Sequence, residues 1–216
     1  MEIKTFYNNP FQEACHILSC EGDAVIIDCG SYTDYEESRI EQYIKDKQLK
    51  PIAHLLTHGH LDHIFGAKWV FERYGLLPYI HPLDIEQYLG ISTQAEMFSV
   101  PLSTDSLRRY NTLDHNFRIR LKDHTITFLH TPGHSEGSVC YLVTASETDT
   151  TLPLILFSGD TLFHQGFGRT DLPGGNAGLL YRSLETIMQL PPATIVYPGH
   201  GYPTTIEAER AFLRFV

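Results

Sequence analysis

Short, apolar-rich runs that read as strands open this chain, and apolar positions at helical spacing follow. Residues 3–7, 14–19 and 24–28 read as three successive strands, with Glu21-Gly22-Asp23 turning the chain between the last two. Over 34–48 the chain is polar with apolar points at Ile40, Tyr43 and Ile44, which predicts a helix with one buried stripe, halted by Pro51. A strand over 52–56 follows, then a helix over 64–74 stopped at Gly75. The pattern next predicts a strand over 78–81 and a short helix over 82–89. Residues 91–112 carry no clear period and read as an insertion, a lid near the functional site. Strands are predicted at 117–121, 125–129, 138–144 and 154–157, a helix at 177–189, a strand at 194–196 and a closing helix at 205–215. Strands first, then strand and helix in alternation, fit two sheets packed face to face with helices outside.

Candidate chemistry sits where the predicted strand over 52–56 ends. The run Thr57-His58-Gly59-His60-Leu61-Asp62-His63 holds three imidazoles and one carboxylate, donors that zinc and iron accept. In an extended segment alternate side chains share a face, so His58, His60 and Asp62 point one way. A tight turn after Asp62 then brings His63 to a second position, and one run can serve two adjacent metals. A His-rich surface loop is the competing reading. Against it stand three further donors in glycine-containing turns: His134 in Thr131-Pro132-Gly133-His134, Asp160 in Ser158-Gly159-Asp160 and His200 in Tyr197-Pro198-Gly199-His200. The last two turns directly follow apolar, strand-like runs, and loops at strand ends are where scaffolds present functional side chains. Ser135 and Ser158 lie beside these donors, but neither has the G-x-S-x-G setting of a serine nucleophile.

The order H-x-H-x-D-H, a lone His, a lone Asp and G-H resembles the metallo-β-lactamase superfamily from about Phe6 onward. The segments Gly159-Asp160-Thr161-Leu162-Phe163, Gly166-Phe167-Gly168-Arg169-Thr170-Asp171 and Gly199-His200-Gly201-Tyr202-Pro203-Thr204-Thr205 resemble its glyoxalase II (hydroxyacylglutathione hydrolase) branch. The resemblance implies an α/β (α+β) fold, an αββα sandwich of two mixed sheets flanked by helices, as one domain over 1–216 without a separate C-terminal helical domain. It implies two divalent metal ions, zinc first, with iron or manganese as alternatives. His58, His60 and His134 hold one, Asp62, His63 and His200 the other, and Asp160 bridges them. Asp62 and Asp160 are then the catalytic carboxylates, and a hydroxide activated by the metal pair attacks a thioester such as a hydroxyacylglutathione. A mononuclear-iron persulfide dioxygenase using His58, His134 and Asp160, and a lactonase, are the alternatives the same fold supports.

Three residues are candidates for substrate contact. His164 lies four positions past Asp160 on the loop that borders the site. Arg169 falls where the family places a basic residue for the glutathione carboxylate, though a loop-bracing pair with Asp171 competes with that role. Tyr202 matches a family Tyr near the thiol. Departures are Asp171, where the long enzymes carry Tyr, and the short chain after His200.

Composition narrows the partners. A formal net charge of −10 argues against a nucleic-acid partner and leaves a small-molecule substrate. No apolar run approaches the roughly 20 residues of a membrane span, and the N-terminus lacks the pattern of a secretory signal. Cys15, Cys20, Cys29 and Cys140 form no C-x-x-C pair and read as buried free thiols, which predicts a cytoplasmic protein.

Overall fold

The computed structural model describes residues 1–102, 107–145 and 153–213. The chain forms two compact units, Met1–Leu113 and Asp114–Val216. Each is a mixed six-stranded sheet carrying helices, so the α/β class expected from the alternation stands.

In the first unit β1 (Glu2–Asn8), β2 (Glu13–Cys20) and β3 (Asp23–Ile27) run antiparallel, and the expected turn over 21–23 joins the last two. β4 (Lys50–Leu55), β5 (Pro78–Ile80) and β6 (Asn111–Thr112) then add in parallel, giving the order β1-β2-β3-β4-β5-β6. Parallel neighbours need crossovers, and α1 (Asp34–Asp46) provides the one between β3 and β4. Its start is specified locally. Thr33 and Glu36 form a capping box, and Asp34, Glu36 and Glu37 place negative charge at the positive end of the helix dipole. Ile40 and Ile44 bury its stripe against Phe6, Cys15, Ile17, Ile26 and Val70. The helix ends before Pro51, with Gln48 in a left-handed conformation at φ 52°. Pro51 itself lies inside β4, so it is not the stop.

Two expectations are corrected here. The helix expected over 64–74 is two: α2 (Leu61–Ile64) and α3 (Ala67–Tyr74), separated at Phe65-Gly66. The Gly66 amide donates to Cys29 O at 2.8 Å, which takes the backbone out of a continuous helix. The segment 91–112, expected to be irregular, holds α5 (Ile91–Met97) and the edge strand β6; residues 103–106 of it lie outside the described residues. α4 (Ile85–Leu89), preceded by a 3-10 turn, and α5 bury Tyr88, Ile91 and Ala95 with Leu56, Leu61, Ile64 and Ile80. Their apolar points come from helices too short to show a period.

The second unit has the strand order β14-β13-β10-β9-β8-β7. It comprises β7 (Ile119–Leu121), β8 (His124–His130), β9 (Val139–Ala145), β10 (Ile155–Gly159), β13 (Ile195–Pro198) and β14 (Thr204–Thr205). Only β10 and β13 pair in parallel among these. α6 (Ala177–Ile187), capped by Asn176, and α7 (Ile206–Phe212), capped by Thr205, bury Leu180, Leu184, Ile187 and Ile206 against Cys140, Leu156 and Val196. The hairpin β11 (Leu162–Phe163) and β12 (Gly166–Phe167) and the two-residue β14 were not expected, since two residues carry no readable alternation. The last residues of the closing helix expected over 205–215 lie outside the described residues. Among those described, no helix is long and apolar enough to cross a membrane.

Candidate metal centre

The metal-binding run of the first unit hangs on one carboxylate. β3 ends at Ile27, and Asp28 follows in a left-handed conformation, φ 46°, buried at 1% exposure. Its Oδ1 accepts from the Thr57 amide at 2.7 Å. Its Oδ2 accepts from the Thr57 hydroxyl at 2.7 Å and from His63 Nδ1 at 3.0 Å. Having donated to Asp28, the Thr57 hydroxyl can only accept from His58 Nδ1, 3.0 Å away. Both imidazoles therefore carry their proton on Nδ1 and offer Nε2 as the ligand nitrogen.

The run does not continue extended through Asp62, as alternation suggests. His60 is the last extended residue, φ −71° and ψ 148°, and α2 starts at Leu61. Asp62 and His63 are thus consecutive residues of one helical turn. A ligand atom of His58 lies within 4.8 Å of one on His60 and of one on His63, and Asp62 and His63 are equally close. His63 Nε2 stands 3.9 Å from Asp62 Oδ2. Around this run lie residues that sequence reasoning missed. Asn9 Nδ2 donates to Gly30 O and Asp62 O at 2.9 Å each. Asp84 Oδ2 accepts from the Gly59 amide at 2.9 Å, and the Gln94 amide bonds both Gly59 and Leu61. Glu13 is fully buried against the Gly30 amide, and burial pushes its carboxyl well above the usual range. Polar residues scattered over Asn9 to Gln94 carry no spacing signal that would have grouped them. Asp28 carries one local signal, as the polar end of an apolar strand, and that signal did not mark it as a support.

In the second unit the three donors come from the ends of β8, β10 and β13. α6 holds the His134 turn: Ser183 Oγ donates to Pro132 O at 2.8 Å, and the Asn176 amide donates to Gly133 O at 2.7 Å. His134 Nδ1 donates to Arg169 O at 2.8 Å, which again leaves Nε2 as the ligand nitrogen. Gly168 allows this approach, since a Cβ there would stand 2.0 Å from Asp160 O and 2.8 Å from His134 Nδ1. The Gly199 amide donates to Gly159 O at 2.9 Å, tying the Asp160 and His200 turns together. Asp160 Oδ2 lies 3.4 Å from His134 Nε2 and 3.6 Å from His200 Nε2. Two donors bound about 2.0–2.2 Å from one tetrahedral ion stand roughly 3.3–3.6 Å apart. A carboxylate oxygen at that distance from two imidazoles fits a metal ligand on either side. Chemistry and spacing of this donor set suit divalent zinc or iron.

The other candidates have different neighbours. His164 lies on the β11–β12 turn, 3.3 Å from the buried carboxylate of Glu209 on α7, which also accepts from Thr204 Oγ1 at 2.6 Å and the Gln165 amide at 2.8 Å. Arg169 makes a bidentate pair with Asp171 at 2.6 and 2.7 Å, and these bonds draw the Asp171 carboxyl down to about 2. Tyr202 is 73% exposed. Ser135 Oγ bonds Ser138 Oγ at 2.7 Å and Ser158 Oγ donates to Leu162 O at 2.7 Å, so both hydroxyls serve their turns.

With this geometry in place, comparison with known proteins is direct. Residues 8–200 match the family model described as the metallo-beta-lactamase superfamily. The chain is 30% identical to the hydroxyacylglutathione hydrolase GloC of Haemophilus influenzae, covering 97% of this chain and 95% of that protein. Among solved structures, TTHA1623 in a di-iron-bound form superposes with a TM-score of 0.82 at 32% identity, covering 99% of this chain and 100% of that one. The B3 metallo-beta-lactamase BLEG-1 also gives a TM-score of 0.82, at 33% identity and 99% coverage of both chains.

Proposed function

We propose, from the premise that this chain belongs to the metallo-β-lactamase superfamily of metal-dependent hydrolases, that it hydrolyses a thioester of the hydroxyacylglutathione type with two divalent metal ions. The observation that carries this reading is the pair of fixed tautomers. Asp28 holds His63 and the Arg169 carbonyl holds His134, so each presents Nε2 to a cation. In the proposed arrangement His58, His60 and His134 hold one ion, Asp62, His63 and His200 the other, and Asp160 is shared. Bound there, the ions supply Lewis-acid polarisation of a carbonyl and a water acidified to near-neutral pKa. The chain's own groups do the rest. Asp28, through Thr57, keeps the imidazoles oriented. Asp160 places negative charge between the two histidines of its unit. Asp62 adds a second carboxylate one residue from His63. Neither Ser135 nor Ser158 is positioned as a nucleophile.

GloC similarity over nearly the full length supports the thioester, and the di-iron relative supports iron beside zinc as the resident metal. His164 and Tyr202 are the proposed substrate contacts, and Arg169, braced by Asp171, would join them at a substrate carboxylate only by releasing that partner. The four free thiols support a reducing, cytoplasmic setting. Metal analysis of protein purified without chelator and then reloaded, followed by assay on a hydroxyacylglutathione, an uncharged thioester and a lactone, tests the proposal. Two metal equivalents with thioester cleavage are expected. A single iron equivalent with oxygen uptake on glutathione persulfide would replace it with the dioxygenase reading.

A further inference from the structure

We propose that Gln94 is a positioning residue that sets the backbone of His60 for metal binding; the inference rests on the reading that His60 is a metal ligand. The Gln94 side chain faces the run from α5 and makes three hydrogen bonds. Its Oε1 accepts from the Leu61 amide at 3.0 Å, and its Nε2 donates to Gly59 O at 3.0 Å and to Gln87 O at 2.8 Å. The first two bonds flank His60. An extended residue turns the preceding carbonyl and the following amide to the same side, and His60 is extended. One carboxamide, with a donor and an acceptor side by side, therefore engages both groups as a neighbouring strand would. That contact holds the peptide on each side of His60, and with it the direction of the His60 Cα–Cβ bond.

The clamp stands on a rigid base. Ile91 and Ala95 of α5 are buried with Leu61 and Ile64 of α2. The Gln87 bond ties Gln94 to α4, and Asp84, just before α4, accepts from the Gly59 amide. A Cβ on Gly59 would stand 2.9 Å from Asp84 O and from Tyr88 N, so the run lies directly on this helical pair. The segment 85–97 is thus a cradle for the run. Asp28 fixes the imidazoles of His58 and His63 from the other strand end, but no bond from Asp28 reaches His60. Gln94 performs the equivalent task through the backbone. Its bonds are part-buried, so water can satisfy Gly59 O and Leu61 N when the side chain is removed, and the fold survives the loss.

The test is cobalt(II) titration of chelator-treated wild type, Gln94→Ala and Gln94→Glu, followed by visible absorption and by zinc competition against a chromophoric chelator. In Gln94→Ala one metal equivalent should weaken by about tenfold or more, the scale seen when a ligand's supporting bond is lost. Its cobalt bands should change, and the thermal midpoint of the metal-free protein should stay put. Gln94→Glu keeps the acceptor for Leu61 but turns a carboxylate oxygen on Gly59 O, so it should not rescue. Wild-type affinity and spectrum in Gln94→Ala would overturn the proposal. So would a metal-free midpoint that falls in step with affinity, which marks a structural role. A wild type that binds no cobalt overturns the hydrolase reading and this inference with it, whereas binding that ignores Gln94 overturns this inference alone.

Discussion

His54 is fully buried on β4, four residues before the metal-binding run, and neither ring nitrogen has a hydrogen-bond partner among the described residues. Burial drives its imidazole from 6.5 down to about 4, against the opposing charge of Asp28. The folded chain therefore refuses a proton that the unfolded chain accepts between those values. Stability from this residue is complete above pH 6.5, falls as pH drops toward 4, and is level below that. The loss is on the order of 3 kcal/mol. Urea unfolding of metal-free protein from pH 4 to 7 should show a shallower slope for His54→Leu than for wild type; equal slopes would mean that His54 titrates normally in the fold. Arg169 invites the opposite expectation. Its guanidinium is engaged by Asp171, and His134 is held by the Arg169 carbonyl, which any residue supplies. Arg169→Ala should leave metal content and thermal midpoint unchanged and reduce turnover of charged and uncharged thioesters alike. A loss confined to glutathione thioesters would show that the pair opens to bind a substrate carboxylate. The seven proposed donors were legible in the sequence because they fall in short runs and turns. The sequence did not identify Asp28, Asp84 or Gln94 as their supports, because hydrogen-bond partners far apart in sequence leave no periodic trace.

Between elements, the decisive feature is the break between α2 and α3. The residues over 64–74 suit one helix, yet Gly66 is pressed against the chain after β3. A Cβ there would stand 2.3 Å from Ser31 Oγ, 2.7 Å from Cys29 Sγ and 2.9 Å from Cys29 O. Gly66→Ala should destabilise the protein by about 1–3 kcal/mol, as overpacking does, even though alanine is the better helix former. Denaturant unfolding of the metal-free protein measures this; a stabilised variant would show that the contact yields and that helix propensity dominates. The strong patterns β1 to β4, α1 and α6 were legible because an apolar run bounded by turn residues marks a buried strand and an amphipathic helix repeats its own period. α5, β6, β11, β12 and β14 were not. Elements of two to seven residues are placed by their neighbours, and α5 exists because Ile91 and Ala95 find Leu61 and Ile64.

Over the whole chain, metal binding and folding should be linked. A ligand that binds only the folded state at 100 times its Kd adds about 2.7 kcal/mol, or roughly 5–11 °C in midpoint for a chain of this size. Chelator treatment should lower the thermal midpoint by that amount, and zinc or iron(II) should restore it; an unchanged midpoint would show that the folded chain holds no stabilising metal. What the sequence determined by itself is the family and the α/β class, with a set of proposed donors, because these are local: the strand and helix periods, and histidines and aspartates at fixed offsets in turns. What only the tertiary structure decided is which nitrogen His58, His63 and His134 offer, that Asp62 and His63 share a helical turn, and that Asp28, Gln94 and Glu209 support the loops around them. These depend on distances between residues up to dozens of positions apart, which no local pattern encodes. Within each unit, strand ends and the helices packed beside them bring these residues within hydrogen-bonding range.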